Sequence, residues 1–172
     1  KNYASSLTVG SPKSSETDIG PLVSETHFER VQSYMDIALN EGARLVFGGP
    51  GKPKGFEKGN YTKPTLFADV SNDMRIVKEE VFGPVLCIQS FGSVDQVIEM
   101  ANDSPFGLAA YISGAKDEIM PIAHQLRAGM IALNGDSQGF DCPFGGYKQS
   151  GNGREWGEFG FEDYLEIKTI AG

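Results

Sequence analysis

The residues best suited to chemistry lie in one short stretch, VKEEVFGPVL, which runs from Val77 to Leu86. It places two acids and an aromatic ring inside an apolar run, and carboxylates near a core cost free energy unless a partner binds them. In extended backbone, neighbouring side chains point in opposite directions, so Glu79 and Glu80 face different sides. Glu80 then shares its side with Phe82, whereas Glu79 meets solvent or a structural partner.

A carboxylate beside an aromatic ring suits a ribose that carries a flat base. The two carboxylate oxygens accept hydrogen bonds from two vicinal hydroxyls, and the aromatic ring packs on the base. Gly83 and Pro84 would fix the backbone that directs Glu80 and Phe82. A structural turn or a helix cap explains the same residues, so both interpretations stay open at this point.

The cysteines and histidines form no pattern that predicts a catalytic nucleophile or a metal site. Cys87 lies in an apolar run and is expected to be a small core residue. Cys142 lies in a glycine-rich loop beside Asp141, whose negative charge disfavours the thiolate. His27 and His124 fall on different predicted helices, are not spaced as zinc ligands, and are expected to be surface residues.

The hydrophobic pattern predicts an α/β chain in which strands and helices alternate. Ser24 is a candidate N-cap for a helix that ends near Gly42, and Ser93 for a helix that ends at Asn102. The other predicted elements are strands over 44–47, 64–70, 85–91, 107–113 and 130–133, and helices over 117–127 and 154–159. This order is typical of a parallel, doubly covered sheet, in which ligands gather at the carboxyl ends of strands.

The sequence changes character after Asn134. GDSQGFDCPFGGYKQSGNG is a loop of about twenty residues, longer than a connector needs, and is therefore a candidate functional loop. Residues 164–170 alternate apolar and polar side chains, which predicts a strand with one apolar face. Such a strand pairs with another subunit or folds back as an edge strand of its own sheet, and the pattern does not separate these alternatives.

Composition excludes several classes of protein. Among 172 residues, 15 are basic and 23 acidic, for a formal net charge of −8. This balance argues against binding to nucleic acid, which needs clustered cations, and against docking to an anionic membrane. No apolar run approaches the roughly 20 residues of a membrane span, and KNYASSLTVG has no signal-peptide core. A cytoplasmic location is expected.

Several motifs together resemble the C-terminal part of an NAD(P)-dependent aldehyde dehydrogenase. They are ETDIGPLVSETHFERV, EEVFGPVL, NDSPFGLAA, PFGGYKQSGNGRE and GEFGFEDYLEIKTI, in the order of that family and over essentially all of the chain. The resemblance implies that residues 1–150 are part of the catalytic domain and that residues 151–172 are a bridging helix and an oligomerisation tail. It also implies that the N-terminal cofactor-binding domain is absent from these residues.

The resemblance implies roles for the residues around the EEVFGPVL motif. In the family, the acid matching Glu80 hydrogen-bonds the ribose beside the nicotinamide, and the aromatic residue matching Phe82 packs at the nicotinamide. The bound cofactor would be NAD or NADP. Pro84 is then a structural residue near the site, and Arg154 and Glu155 match a structural charged pair.

The same resemblance assigns residues of the glycine-rich loop to the aldehyde. Phe144 matches a residue that lines the aldehyde tunnel, and Phe140 and Cys142 are further tunnel candidates. Asn134 matches an asparagine near the active site, although it could serve only to hold the loop. Residues 164–170 match the strand that pairs between the subunits of a homo-oligomer.

The residues that carry out the family's chemistry do not match any position in this sequence. In the family, a cysteine attacks the aldehyde to give a thiohemiacetal, hydride passes to the nicotinamide, and a glutamate-activated water hydrolyses the thioester. That cysteine, that glutamate and the oxyanion asparagine all precede the matched region, and Cys142 corresponds to none of them. We therefore expect residues 1–172 alone to oxidise no aldehyde and to bind NAD feebly if at all.

Two interpretations of the chain remain. The first is a C-terminal fragment of an enzyme that oxidises an aldehyde to a carboxylic acid. The second is a short, catalytically inactive α/β module with an interaction or regulatory role, against which the retention of Glu80 and Phe82 argues. Either form is expected to associate, because a sheet without its neighbouring elements exposes apolar surface and an open edge.

Overall fold

The computed structural model describes all of residues 1–172. The chain divides into two units, residues 1–90 and residues 91–172. This boundary differs from the one that the resemblance implies between residues 150 and 151, which concerns the organisation of a larger enzyme and stays a prediction.

The first unit packs one long helix against a small mixed sheet. Its elements are α1 (Asn2–Ser6), α2 (Glu25–Asn40), β1 (Arg44–Phe47), β2 (Thr65–Ala68), α3 (Arg75–Lys78) and β3 (Val85–Ile88). The strand order is β1-β2-β3, with β1 antiparallel and β3 parallel to β2. As predicted, Ser24 caps α2, because its hydroxyl oxygen accepts a hydrogen bond from the His27 N–H at 3.1 Å.

The core of this unit lies between α2 and the central strand β2. Val31, Met35 and Ala38 follow one another at helical spacing and are fully buried on one face of α2. Phe67 meets them from β2, a strand in which every residue is buried. Cys87 packs against the edge of this cluster, and its burial raises the pKa of its thiol, as expected for a core cysteine.

The second unit contains two short two-stranded sheets. Its elements are α4 (Val94–Asn102), β4 (Phe106–Gly107), β5 (Ala109–Ile112), α5 (Lys116–Ala123), β6 (Met130–Leu133), β7 (Tyr147–Lys148) and α6 (Gly157–Glu162). Strands β5 and β6 are parallel and are joined through α5, whereas β4 and β7 are antiparallel. The predicted cap of α4 is confirmed, since the Ser93 hydroxyl accepts from the Gln96 N–H at 3.2 Å.

The single parallel sheet predicted from the sequence is not what this chain forms. The strand expected over 107–113 is two strands interrupted at Leu108, because β4 pairs with β7 whereas β5 pairs with β6. The strand expected over 85–91 ends at Ile88 and is an edge strand. Leu86 on its outer face is 63% exposed, so only one face of β3 is buried in this chain.

Two helices also differ from their predicted bounds. Helix α5 ends at Ala123 because the Asn102 side chain binds the backbone beyond it, donating to the Gln125 carbonyl and accepting from the Arg127 N–H. The backbone of Glu155 pairs with that of Phe144, and helix α6 begins after this pair, at Gly157. Local periodicity does not reveal either of these tertiary hydrogen bonds.

Residues 164–170 pair with no strand of their own chain. Their side chains are exposed, and Ile167 is 98% exposed. The alternative in which this segment folds back as an edge strand is therefore wrong for this structure. Pairing with a second subunit stays a prediction.

Candidate functional site

Glu80 and Phe82 line the same surface depression in the first unit. The depression has a volume of about 390 Å³, and the apolar side chains of Val70, Val77 and Cys87 contribute to its wall. The Glu80 side chain is exposed, and the Phe82 ring is 69% exposed. The two residues singled out by the sequence therefore open onto one recess.

The backbone that presents them is a turn, which corrects the extended geometry assumed from the sequence. Phe82 has a φ of 58°, in the left-handed region that residues other than glycine rarely adopt. Side-chain alternation along a strand therefore does not explain why Glu80 and Phe82 share a side. Backbone outliers of this kind concentrate at functional sites, because the surrounding contacts must hold them in place.

Glu79 has the structural role that was one of the two expected for it. Arg75 binds its carboxylate through two hydrogen bonds of 2.7 and 2.9 Å, and the Tyr34 hydroxyl donates to it at 2.7 Å. The hydrogen bonds from Arg75 and then from Tyr34 lower the pKa of Glu79 to about 2. Glu79 thus ties α3 to α2 and leaves Glu80 free to face the recess.

Gly83 and Pro84 fix the far side of the turn. A Cβ on Gly83 would lie 2.8 Å from the Cγ2 atom of Val31, a fully buried residue, so only glycine allows the turn to approach α2 this closely. The Pro84 carbonyl accepts from the Thr65 N–H at 2.9 Å and joins the turn to β2. The supporting role of Pro84 near a functional site stays a prediction.

Sequence reasoning missed two residues that contact the turn from α2. His27 was expected to be a surface histidine, but it is half-buried and its Nε2 atom lies 2.6 Å from the Phe82 carbonyl oxygen. Arg30 donates from Nη2 to the Glu80 carbonyl at 2.8 Å. Both residues lie in the motif ETDIGPLVSETHFERV and are spaced to share one helix face, but neither signal identifies the residue that they contact.

The aldehyde-tunnel candidates lie in the second unit, where the structure brings two of them onto one tryptophan. The ring of Trp156 lies 4.8 Å from that of Phe140 and 5.0 Å from that of Phe144, measured between centroids. Phe144 and Glu155 exchange two backbone hydrogen bonds of 2.7 Å each. These contacts fold the glycine-rich loop into an aromatic cluster, defined as Phe140, Phe144 and Trp156.

The third tunnel candidate, Cys142, belongs to the same glycine-rich loop. Cys142 is exposed, and its N–H donates to the Gly139 carbonyl at 3.0 Å. Trp156 was missed by sequence reasoning, although it is the only tryptophan of the chain and directly follows the GRE motif. An aromatic cluster of this kind presents an apolar wall to a ligand.

Asn134 and Arg154 act as ties between backbone segments. The Asn134 side chain accepts from the Gly114 N–H at 2.9 Å and donates to its carbonyl at 3.1 Å, which joins the ends of β5 and β6. The Arg154 guanidinium donates to the carbonyls of Gly146, Asn152 and Gly153 at 2.8–3.0 Å. Glu155 contributes through its backbone.

A comparison with known proteins identifies the family of this chain. The profile of the aldehyde dehydrogenase family matches residues 1–170. The chain belongs to the aldehyde dehydrogenase family. The resemblance carried by the sequence motifs is thereby confirmed.

Its relatives are longer aldehyde dehydrogenases. A Staphylococcus epidermidis protein that bears an aldehyde dehydrogenase name is 47% identical over an alignment of 173 positions, which covers 100% of this chain and 36% of that protein. A mutant of aldehyde dehydrogenase C from Pseudomonas syringae, solved with NAD+ and octanal, is 46% identical with a TM-score of 0.95. That match covers 98% of this chain and 35% of the other.

A third relative gives the same result. The aldehyde dehydrogenase of Mycobacterium tuberculosis, solved with NAD+, is 43% identical with a TM-score of 0.90, over 95% of this chain and 34% of the other. The chain therefore spans about a third of the length of the aldehyde dehydrogenases that it matches. At these identities the fold of this part of an aldehyde dehydrogenase is shared.

No group of three or more histidine, cysteine, aspartate or glutamate side chains is arranged to hold a metal ion. No helix has both the length and the hydropathy that crossing a bilayer requires.

The low pKa of Glu79 predicts a pH dependence of stability. The carboxylate is stabilised in the folded protein, so its contribution is complete above the ordinary pKa of 4.5 and is lost as the pH falls towards about 2. We expect urea unfolding to show a smaller loss of stability across this window for Glu79→Gln than for the wild type. Glu29→Gln, an exposed acid on α2, serves as the control, and equal pH slopes for wild type and Glu79→Gln would contradict the assignment.

Proposed function

We propose that residues 1–172 form the C-terminal part of an NAD(P)-dependent aldehyde dehydrogenase that oxidises an aldehyde to a carboxylic acid. The observation that carries this proposal is the shared recess of Glu80 and Phe82, within a chain of this family. Two relatives more than 40% identical were solved with NAD+, which supports the same cofactor class.

The residues present fit a nicotinamide riboside. Glu80 holds an exposed carboxylate at a recess that both polar and apolar side chains line, and its two oxygens can accept from two ribose hydroxyls. The exposed ring of Phe82 offers a flat apolar surface to the nicotinamide. When bound, the cofactor accepts the hydride that leaves the substrate carbon. Both NAD and NADP carry this riboside, so the recess serves either.

The aromatic cluster is the proposed wall for the aldehyde. Phe140 and Phe144 present apolar rings held by Trp156, which favours an apolar aldehyde chain over a charged one. Cys142 remains a tunnel candidate beside this wall. In the proposed enzyme the nucleophilic cysteine that forms the thiohemiacetal and thioester lies outside residues 1–172, so these residues alone are expected to form no NADH from aldehyde.

Homo-oligomerisation through residues 164–170 belongs to the same proposal. This segment carries exposed apolar side chains in alternation, and an unpaired strand with one apolar face is suited to adding to the sheet of another subunit. The alternative function, an inactive interaction module, gives no reason for an exposed carboxylate and ring to open onto one recess.

The test is the cofactor dependence of the full-length enzyme. Glu80→Gln is expected to raise the KM for NAD(P) about tenfold, because charge-assisted hydrogen bonds to the ribose are worth about 1.5 kcal/mol or more. The KM for the aldehyde is expected to change less than twofold. Glu29→Gln is the matched control, and an unchanged KM for NAD(P) in Glu80→Gln would overturn the proposed site.

A further inference from the structure

One face of α2 runs along the turn that carries Glu80 and Phe82. His27 and Arg30 lie one helical turn apart on this face. The His27 ring contacts the Phe82 carbonyl at 2.6 Å, and the Arg30 guanidinium donates to the Glu80 carbonyl at 2.8 Å. Neighbouring positions of one helix thus bind both cofactor-site residues through their backbones.

The donor and the acceptor of the hydrogen bond made by His27 can be assigned. A carbonyl oxygen can only accept a hydrogen bond, so the Nε2 atom of His27 carries the proton and donates it. The ring of His27 also lies 6.0 Å from the ring of Phe82, tilted by 41°. The histidine therefore contacts both the backbone and the side chain of the residue with left-handed φ.

Arg30 is itself held in place. Its guanidinium lies over the Tyr34 ring, with the Cζ atom 5.5 Å from the centroid. The Tyr34 hydroxyl in turn donates to Glu79 at 2.7 Å. His27 therefore contacts Phe82, and Arg30 contacts Glu80. Tyr34, one turn further along α2, contacts Glu79, so three side chains from successive turns of the helix bind the turn.

We propose that His27 and Arg30 are positioning residues for the cofactor site, which hold the Glu80 carboxylate and the Phe82 ring in their binding geometry by fixing the carbonyls of those residues. This inference rests on the proposed function. It adds a role for the first turns of α2, for which the sequence alone predicted none.

The mechanism is preorganisation of the turn. Val81, between the two fixed carbonyls, has a buried side chain, so the turn is anchored to the core at its centre and to α2 at each end. Rotation about the Val81 and Phe82 backbone bonds would break one of these contacts. A site that is held in its bound conformation avoids the entropy cost of ordering on binding.

The first arm of the test measures NAD+ affinity of the full-length enzyme by calorimetry, together with KM values. His27→Leu removes the donor and is expected to weaken NAD+ binding about fivefold, with a matching rise in the KM for NAD(P). His27→Gln keeps a donor N–H and is expected to restore most of the affinity. His124→Leu, at an exposed histidine just after α5, is the control and is expected to change nothing.

The second arm separates positioning from direct contact with the cofactor. If His27 acts through the turn, the effect of His27→Leu shrinks to less than twofold in a Phe82→Leu background, because the ring that His27 positions is no longer present. The inference would be overturned if the effects of the two substitutions on NAD+ affinity were additive in the double variant. It would also be overturned if His27→Leu and the wild type bound NAD+ with equal affinity. If the leucine variant does not fold, Arg30→Met carries the test in a Glu80→Gln background, with Arg30→Lys as its conservative partner.

The two arms also separate this inference from the proposed function. A weakened NAD+ affinity in Glu80→Gln with no effect of His27→Leu rejects the positioning role alone. No effect in either variant rejects the proposed cofactor site, and the positioning role with it.

Discussion

Replacing Phe67 by alanine is expected to lower the free energy of unfolding by about 3–5 kcal/mol, the range for deleting a buried aromatic side chain. Phe67 is fully buried in the central strand β2, where both neighbouring strands and α2 surround it. The cavity would open beneath Val31 and Met35 on α2, which cannot collapse onto it without losing their own packing.

The measurement is urea unfolding of the full-length protein, followed by tryptophan fluorescence and circular dichroism together. Phe67→Leu is the matched control, since it keeps most of the volume and is expected to cost less than about 1.5 kcal/mol. A loss below about 1.5 kcal/mol for Phe67→Ala would show that the core between α2 and β2 is not packed as described.

The helix starts were predictable from the sequence because their determinants are local. Ser24 and Ser93 each accept a hydrogen bond from a backbone N–H three residues on, and that spacing is visible in the sequence itself. The family was also predictable, because its motifs are short, numerous and in order. In both cases the information lies in neighbouring residues.

Strand pairing was less predictable because the partners lie far apart along the chain. The interruption at Leu108 exists because β4 finds its partner β7 some 40 residues downstream, while β5 pairs with β6. An apolar run of this length favours one strand when its partners are unknown. The end of α5 was missed for the same reason, since Asn102 binds the backbone beyond it from another element.

The turn that carries Glu80 and Phe82 places both residues on one side, as predicted, but its backbone is not the extended one assumed from the sequence. Glu80 and Phe82 line one recess, but the positive φ of Phe82 replaces the extended geometry from which their pairing was inferred. The carbonyls of these two residues are contacted by Arg30 and His27, which are about 50 residues upstream. Functional sites commonly depart from local rules in this way, because distant contacts hold their geometry.

Gly129→Ala is expected to lower the free energy of unfolding by about 3 kcal/mol, near the upper end of the usual cost of overpacking. Gly129 has an ordinary backbone conformation, so the effect comes from space alone. A Cβ there would overlap the Gly145 carbonyl oxygen and lie 2.8 Å from the Gly146 Cα atom. These contacts are with backbone, which cannot rotate away as a side chain can.

The same substitution is expected to affect the aldehyde more than the cofactor. Gly145 follows Phe144 directly, so displacing it shifts one ring of the aromatic cluster. We expect the KM for an apolar aldehyde to rise several-fold in the full-length enzyme, while the KM for NAD(P) changes less than twofold.

Gly92→Ala is the control for both effects. Its Cβ would meet only the Oε1 atom of Gln96, at 3.4 Å, which is the far end of a flexible side chain. The free energy of unfolding of this variant is expected to lie within about 0.5 kcal/mol of the wild-type value, as is usual for surface substitutions. If Gly129→Ala matched Gly92→Ala in stability and in both KM values, the close approach of Gly129 to the 145–146 segment would be refuted. The Phe144 side of the proposed aldehyde wall would then lose its structural support.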